Sequence, residues 1–149
     1  MKITKRGEYA LRTMLALATT TAAHPVSLRK LSKEEKLPVK FLEQIMMTLK
    51  QAKLVQSTKG KMGGYLLSRP AGKIKLGEII RVIDGSLSPL ETGDEIRKKI
   101  QKEERHPGLY SVLYEVRNAT CAIIDNTTLA DVCEKSSEIV RKKGVMYYI

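Results

Sequence analysis

The sequence has 149 residues, of which 42% are hydrophobic, and a formal net charge of +11 at pH 7. A chain of this length forms one domain, or one domain with an appendage. It contains no apolar run approaching the roughly 18 residues of a membrane-spanning helix. Its cysteines, Cys121 and Cys133, are too few for a disulfide framework or a closed metal site. Basic residues precede an apolar run near the N-terminus, but Glu8 and Arg12 interrupt that run, so we expect a cytoplasmic protein rather than a secreted one.

The positive charge is concentrated in the first half of the chain. Residues 1–80 hold sixteen Lys/Arg and five Asp/Glu, whereas residues 81–149 hold eleven of each. Small basic proteins are common, and charge alone is weak evidence of nucleic-acid binding. Its segregation onto one part of the chain strengthens that interpretation.

The first elements in chain order are two helices. Met1–Thr21 is predicted to form the first helix, which ends before Pro25 because the residue before a proline disfavours helical dihedrals. Ser27 is a suitable N-cap for a second helix that runs from Leu28 to about Lys36.

A third helix follows a tight turn and is the centre of the predicted fold. Pro38 suits the first turn of a helix, where its missing N–H would have no partner. Apolar residues then recur with helical spacing at Leu42, Ile45, Met46 and Leu49. Two helices joined by a tight turn form a helix-turn-helix, whose second helix normally enters the DNA major groove.

The next segment resembles a basic β-hairpin. Leu54–Ser57 and Tyr65–Leu67 are strand-like and flank a tip, residues 58–64, that contains glycines and two lysines. A helix followed by such a hairpin is the outline of a winged helix, so we interpret this unit as the part that contacts DNA.

The rest of the chain is predicted to be mostly helical. Leu76–Ile83 forms a fourth helix, and Leu87–Gly108 is the least regular segment, although Ile96 and Ile100 would allow a helix in part of it. We expect mainly α structure with a small β-hairpin, organised as residues 1–86 (winged helix-turn-helix domain), 87–108 (loop or regulatory segment) and 109–149 (dimerisation helix and C-terminal helix).

Leu109–Asp125 is strongly periodic and keeps one apolar face for four turns. Thr128 and Asp131 then resemble a capping box for a last helix. The long helix either folds back on its own domain or pairs with its copy, and we favour the homodimer. The residues of this face are Leu109, Val112, Leu113, Val116, Thr120, Ile123 and Ile124.

Five segments in order and spacing resemble one bacterial family. They are Met1–Thr4 leading into Gly7–Leu11, then Phe41–Ile45, Gly63–Leu67, Ile74–Ile80 and Thr128–Val132. The family comprises winged-helix transcription regulators that include the iron–sulfur cluster regulator, the nitric-oxide-sensing repressor and the cysteine metabolism repressor. The resemblance spans about residues 1–132, with Leu87–Gly108 poorly matched.

The resemblance implies a homodimer on a pseudo-palindromic operator, with the long helices crossed at the interface. The base-reading positions of the third helix correspond to Lys40, Glu43 and Gln44. Gln pairs with adenine, Glu accepts from cytosine, and Lys serves guanine or phosphate; the alternative is an ordinary solvated helix face. The expected DNA-contacting residues are Lys2, Lys5, Arg6, Lys40, Glu43, Gln44, Lys59, Gly60, Lys61, Gly63, Gly64 and Tyr65.

The sequence departs from the family where many members bind an iron–sulfur cluster. Those members use three cysteines before the long helix, and a His on that helix or an acidic residue in the first helix. Here Leu87–Pro107 has no cysteine, and Gly108 and Ser111 occupy the positions of the last cysteine and the histidine. Glu8 matches the acidic position, but thiolates are what hold such clusters. We therefore expect no cofactor.

The two cysteines do not restore that chemistry. They are interpreted as small buried hydrophobes, with a reversible disulfide, or a metal site involving His106 or His24, as alternatives. No catalytic motif stands out. The leading interpretation is a DNA-binding regulator, most often a repressor in this family, that responds to an unknown effector. A winged-helix module for protein or RNA contacts is the alternative.

Overall fold

The helices and strands follow one another in the order that the sequence predicts. The computed structural model describes residues 3–20, 24–86, 92–102 and 105–146. Its helices are α1 (Lys5–Thr19), α2 (Leu28–Glu35), α3 (Val39–Gln51), α4 (Leu76–Asp84), α5 (Gly93–Gln101), α6 (Pro107–Asn126) and α7 (Leu129–Met146), and its strands are β1 (Val55–Thr58) and β2 (Gly64–Leu67).

Side chains that cap the helices determine several of their bounds. Ser27 accepts a hydrogen bond from the Lys30 N–H, as predicted for an N-cap. Thr128 and Asp131 form the predicted reciprocal cap: the Thr128 N–H and hydroxyl both donate to Asp131 Oδ2 over 2.7 Å. Thr4 caps α1 by accepting from the Gly7 N–H, and so this helix begins at Lys5 rather than at the N-terminus.

Pro38 lies one position earlier than predicted. It is the N-cap residue of α3, with an extended ψ of 132°, and the first helical residue is Val39. The Pro38 carbonyl accepts the Leu42 N–H at 3.0 Å. The preceding turn is tight because Lys36 adopts a left-handed conformation at the end of α2.

Part of the segment 87–108 is helical, which confirms the helix suggested by Ile96. Thr92 and Glu95 form a capping box at the start of α5, and Ile96 is buried. Gly93 lies so close to α6 that a Cβ added there would be 2.9 Å from Arg117 Cζ. The segment is therefore not a loop throughout, because α5 packs along α6.

One apolar core joins the first four helices, the hairpin and the start of α7. Helix α1 lies against α4 and α7, and α3 lies against α2, α4 and β1. The core residues with the least exposure come from these helices and from the segments that adjoin them. They include Ala10, Met14, Leu31, Leu42, Ile45, Met46, Leu49, Leu54, Ile74, Ile79 and Leu129.

Candidate nucleic-acid interface

Helix α3 presents a polar face to solvent while its other face is fully buried. Lys40, Glu43 and Gln44 are all exposed, as expected of side chains that read bases. The opposite face is anchored by four residues with no exposed surface, so the helix cannot roll without opening the core. These residues are Leu42, Ile45, Met46 and Leu49.

Two polar contacts fix the C-terminal half of α3. Arg6 on α1 donates from Nη2 to Thr48 Oγ1 over 3.0 Å. Lys50 donates from Nζ to Ser57 Oγ on β1 over 2.6 Å. Arg6, which is among the residues expected to contact DNA, is therefore tied to the third helix, and Lys50 joins that helix to the hairpin.

The hairpin that follows α3 is short and has a tight tip. Strands β1 and β2 pair antiparallel from Val55 opposite Leu67 to Thr58 opposite Gly64. Beyond that pair, the Gly63 N–H donates to the Gly60 carbonyl at 2.9 Å, and this bond closes a four-residue turn. Lys59, Gly60 and Lys61 are all exposed at this tip.

The base of the hairpin is held by the segment before α2. Val26 and Tyr65 exchange two backbone hydrogen bonds, each 2.9 Å long. Gly64 lies against this segment so closely that a Cβ would be 2.4 Å from the Val26 carbonyl oxygen. Tyr65 and Gly64 therefore position the hairpin, and a side chain at position 64 would displace it.

The N-terminal end of α1 is attached to the end of α4. Asp84 accepts from the Thr4 hydroxyl at 2.6 Å and from the Thr4 N–H at 3.0 Å. Lys5 is exposed and pairs with Glu8 at 2.9 Å, an interaction that lowers the Glu8 pKa. Lys2, also expected to contact DNA, lies outside the described residues.

Two exposed methionines lie on the elements that are predicted to contact DNA, and the sequence interpretation gave neither a role. Met47 lies on the outer face of α3 and is 60% exposed, and Met62 at the hairpin tip is 85% exposed. The available signal was their position: Met47 lies off the apolar stripe of α3, and Met62 lies between lysine and glycine in a turn.

Helix α6 carries an exposed apolar stripe on the side away from α4 and α5. Val116 is 51% exposed and Ile123 is 68% exposed, and Leu109 and Val112 are similarly open. The other predicted members of this face, Leu113, Thr120 and Ile124, are half-buried. The single chain thus leaves uncovered the apolar surface that the periodicity predicts.

The inner side of α6 is joined to α4 by an ion pair. Arg81 donates to both carboxylate oxygens of Asp125, over 2.6 and 2.8 Å, and this lowers the Asp125 pKa. Arg81 also lies 3.9 Å from Cys121 Sγ. Cys133 lies on α7, where burial raises the pKa of its thiol. Both cysteines are half-buried, so they are less enclosed than the buried hydrophobes expected from the sequence.

The residues at the family's cluster positions do not fit an iron–sulfur cluster. Gly108 and Ser111 lie on the first two turns of α6 and offer no thiolate or imidazole. The Glu8 carboxylate is already paired with Lys5. Within the part of the chain that the structure describes, no three His, Cys, Asp or Glu residues lie together as a metal site. This donor set gives such a cluster nothing to bind.

The fold and this surface define a class of protein. A helix-turn-helix whose second helix exposes polar side chains, followed by a basic hairpin, is a winged helix-turn-helix of the kind that binds DNA.

The chain belongs to the Rrf2 family, whose model is described as an iron-dependent transcriptional regulator and matches residues 3–135. It is 32% identical over 149 residues to the HTH-type transcriptional regulator CymR of Bacillus subtilis, covering 100% of both chains. It is also 39% identical over 87 residues to the HTH-type transcriptional regulator IscR of Citrobacter koseri, covering 58% of this chain and 53% of that one.

A solved structure supports the same assignment. The structure of CymR, the global cysteine regulator of B. subtilis, superposes with a TM-score of 0.79 and 32% identity, covering 91% of this chain and 98% of that one. The protein is thus a DNA-binding transcription regulator, as predicted, and the family it belongs to is not one of enzymes. No helix among the described residues is long and apolar enough to cross a membrane.

Proposed function

We propose that the protein is a cytoplasmic, homodimeric repressor that recognises a pseudo-palindromic operator without an iron–sulfur cluster. The observation that carries this proposal is the presence of two surfaces on one chain: an exposed polar face on α3 and an uncovered apolar stripe on α6. The first would contact DNA, and the second would join two copies so that two such helices face one duplex.

Sequence is read by α3 in this proposal. Gln44 is suited to a bidentate contact with adenine, Glu43 to accepting a hydrogen bond from cytosine N4, and Lys40 to guanine or phosphate. Support comes from their exposure and from the buried face behind them, which presents these side chains at a fixed angle. Two half-sites roughly 34 Å apart, one helical turn, would match a dimer of the usual geometry.

The hairpin and the N-terminal end of α1 supply the sequence-independent part of binding. Lys59 and Lys61 are exposed at the tip, and Lys5 is exposed at the start of α1; Lys2, which precedes the described residues, is proposed to act with them. Contacts of lysine with phosphate release condensed counterions, so this part of the affinity falls steeply with salt. An effector would act by changing how the two copies present these surfaces.

Dimerisation through α6 is supported by the position of its exposed side chains. Leu109, Val112, Val116 and Ile123 lie one or two helical turns apart, opposite the residues that touch α4 and α5. Burying an aliphatic side chain is worth about 1.5–3 kcal/mol. A self-complementary stripe of four such residues is what a two-fold interface between identical helices requires.

A salt titration separates the two modes of DNA contact. The wild type, Lys59→Ala and Gln44→Ala are compared on a duplex selected from a random pool and on random DNA. Lys59→Ala should weaken both about equally and lower the salt slope by roughly one unit. Gln44→Ala should cost ~1–3 kcal/mol on the selected duplex and leave binding to random DNA nearly unchanged.

Matched controls come from exposed residues outside the interface. Lys135→Ala on α7 removes one lysine, and Gln101→Ala on α5 removes one amide; neither should alter binding to either DNA. Equal losses for Gln44→Ala and Lys59→Ala on both DNAs would mean that α3 reads no sequence, and a module for protein or RNA contacts would become the better explanation.

A further inference from the structure

The tip of the hairpin presents an apolar side chain where lysine and glycine otherwise predominate. Lys61 and Met62 are the two central residues of the turn that the Gly63 N–H closes onto the Gly60 carbonyl at 2.9 Å. Met62 is 85% exposed, the largest exposure among the large hydrophobic residues that the structure describes. Two other methionines, Met14 and Met46, are fully buried, so this one differs in being placed at the apex.

The turn has no means of covering Met62. A Cβ on Gly63 would be 2.5 Å from the Thr58 carbonyl oxygen, so the chain is tightly folded there. The neighbouring tip residues Lys59, Gly60 and Lys61 are exposed as well. Exposure of an apolar side chain of this size to water is unfavourable, and burying it against another surface would be favourable.

The contacts at the base of the hairpin determine where Met62 lies relative to α3. Two hydrogen bonds between Val26 and Tyr65 fix β2, and the bond from Lys50 to Ser57 fixes β1 to α3. The tip is therefore positioned relative to α3. If α3 lies in the major groove as proposed, a hairpin fixed to the end of the same helix would extend over the adjacent phosphates toward the neighbouring minor groove.

We propose that Met62 enters the minor groove of the operator and inserts as a wedge against a base step. The inference rests on the proposed function, because it requires α3 to occupy the major groove. Lys59 and Lys61 would bind the phosphates on either side of the groove. The uncharged side chain of Met62 would make no favourable contact with those phosphates. Apolar side chains that include Met are the ones that partly unstack a step from the minor groove and bend the duplex.

The chemistry of Met suits this role. Its unbranched thioether has three rotatable bonds and adapts to an irregular apolar gap. Pyrimidine–purine steps such as TA and CA unstack most easily, and a narrow minor groove attracts lysine. The operator should therefore prefer such a step beneath each hairpin, a preference that arises without any hydrogen bond to those bases.

The experiment uses the full-length protein and duplexes selected by the wild type from a random pool. The fluorescent base 2-aminopurine, placed at successive steps beneath the hairpin, reports unstacking, and energy transfer between dyes at the two ends reports bending. The variants are Met62→Ala, Met62→Gln, Met62→Leu and Lys61→Ala. Because both positions are exposed, circular dichroism should show the same folded protein throughout.

Substitutions at Met62 and at Lys61 should give different results. Wild type should bend the duplex by about 20° or more and raise the 2-aminopurine signal at one step. Met62→Ala and Met62→Gln should lose both signals and bind about tenfold more weakly, with the salt slope unchanged, whereas Met62→Leu should retain them. Lys61→Ala should keep the bend and lower the salt slope by roughly one unit.

Two outcomes overturn the proposal, and they are distinguishable. Wild-type bending and unstacking in Met62→Ala and Met62→Gln would remove the wedge and leave the proposed DNA-binding function intact. A wild-type protein that selects no duplex from the pool would overturn the proposed function, and this inference with it.

Discussion

Arg12 on α1 holds Glu35 at the end of α2 by two hydrogen bonds. Its Nε donates to the Glu35 carboxylate at 2.9 Å, and its Nη2 donates to the Glu35 carbonyl oxygen at 2.7 Å. The same guanidinium lies over the ring of Tyr9, which packs edge-on against Phe41 on α3. Arg12 thereby contacts α2 directly and is linked to α3 through the ring of Tyr9.

Arg12→Lys should lower the free energy of unfolding by about 1–2 kcal/mol, because lysine cannot make both hydrogen bonds at once. The measurement is urea denaturation at a fixed protein concentration. Lys30→Ala is the control: it removes an exposed pair with Glu34 of 3.8 Å, which should contribute almost nothing. Equal stability of Arg12→Lys and wild type would show that the contact is dispensable.

If the exposed apolar stripe of α6 is the dimer interface, a charge within it should weaken the dimer. Val116→Asp or Ile123→Asp would place a charge in the proposed apolar interface, where an unpaired carboxylate is strongly disfavoured. Sedimentation equilibrium should show monomer or a much weaker dimer for each variant, provided that circular dichroism confirms folding.

Asn118→Asp tests whether added charge alone disrupts assembly. It adds the same charge to an exposed position on the same helix, outside the stripe, and should sediment as the wild type does. Full-strength, DNA-competent dimers of Val116→Asp and Ile123→Asp would exclude this interface.

The absence of cysteine before α6 predicts the appearance of the pure protein. Protein prepared without oxygen should be colourless and contain far less than one iron per chain, because Gly108 and Ser111 lie at the family's ligand positions. The measurements are iron and acid-labile sulfide content and visible absorbance. Stoichiometric iron and sulfide would contradict the prediction and direct attention to Glu8, His106, Cys121 and Cys133.

The elements of this fold could be predicted from local chemistry. The apolar spacing of Leu42, Ile45 and Leu49 indicated α3, and hydroxyl caps at Ser27 and Thr128 indicated where α2 and α7 begin. The left-handed residue after α2 was not predictable in this way, because it is Lys36 and the usual signal for that conformation is glycine.

The contacts that position the candidate interface lay beyond sequence reasoning. Thr4 and Asp84 are 80 residues apart, and Arg6 and Thr48 are 42 apart. Such pairs depend on how the core brings α1 against α3 and α4, and no spacing in the sequence reports it. Residue type does not separate the exposed Met62 from the buried Met46, and only their positions, in a turn and on the apolar stripe of α3, distinguish them in the sequence.

The ion pair between Arg81 and Asp125 predicts a pH dependence of stability. The hydrogen bonds from Arg81 hold the Asp125 pKa below its usual range, so the folded state binds fewer protons than the unfolded state. The stabilisation is then present above the ordinary carboxyl pKa of about 4 and is lost as pH falls through the lower folded value.

Asp125→Asn should cost roughly 0.5–1 kcal/mol at neutral pH, since both side chains are partly exposed and screened. Its difference from wild type should shrink between about pH 5 and pH 3. In an Arg81→Gln background the same substitution should show little pH-dependent difference, which isolates the pair. A difference that grows as the pH falls would have the wrong sign and would refute this account.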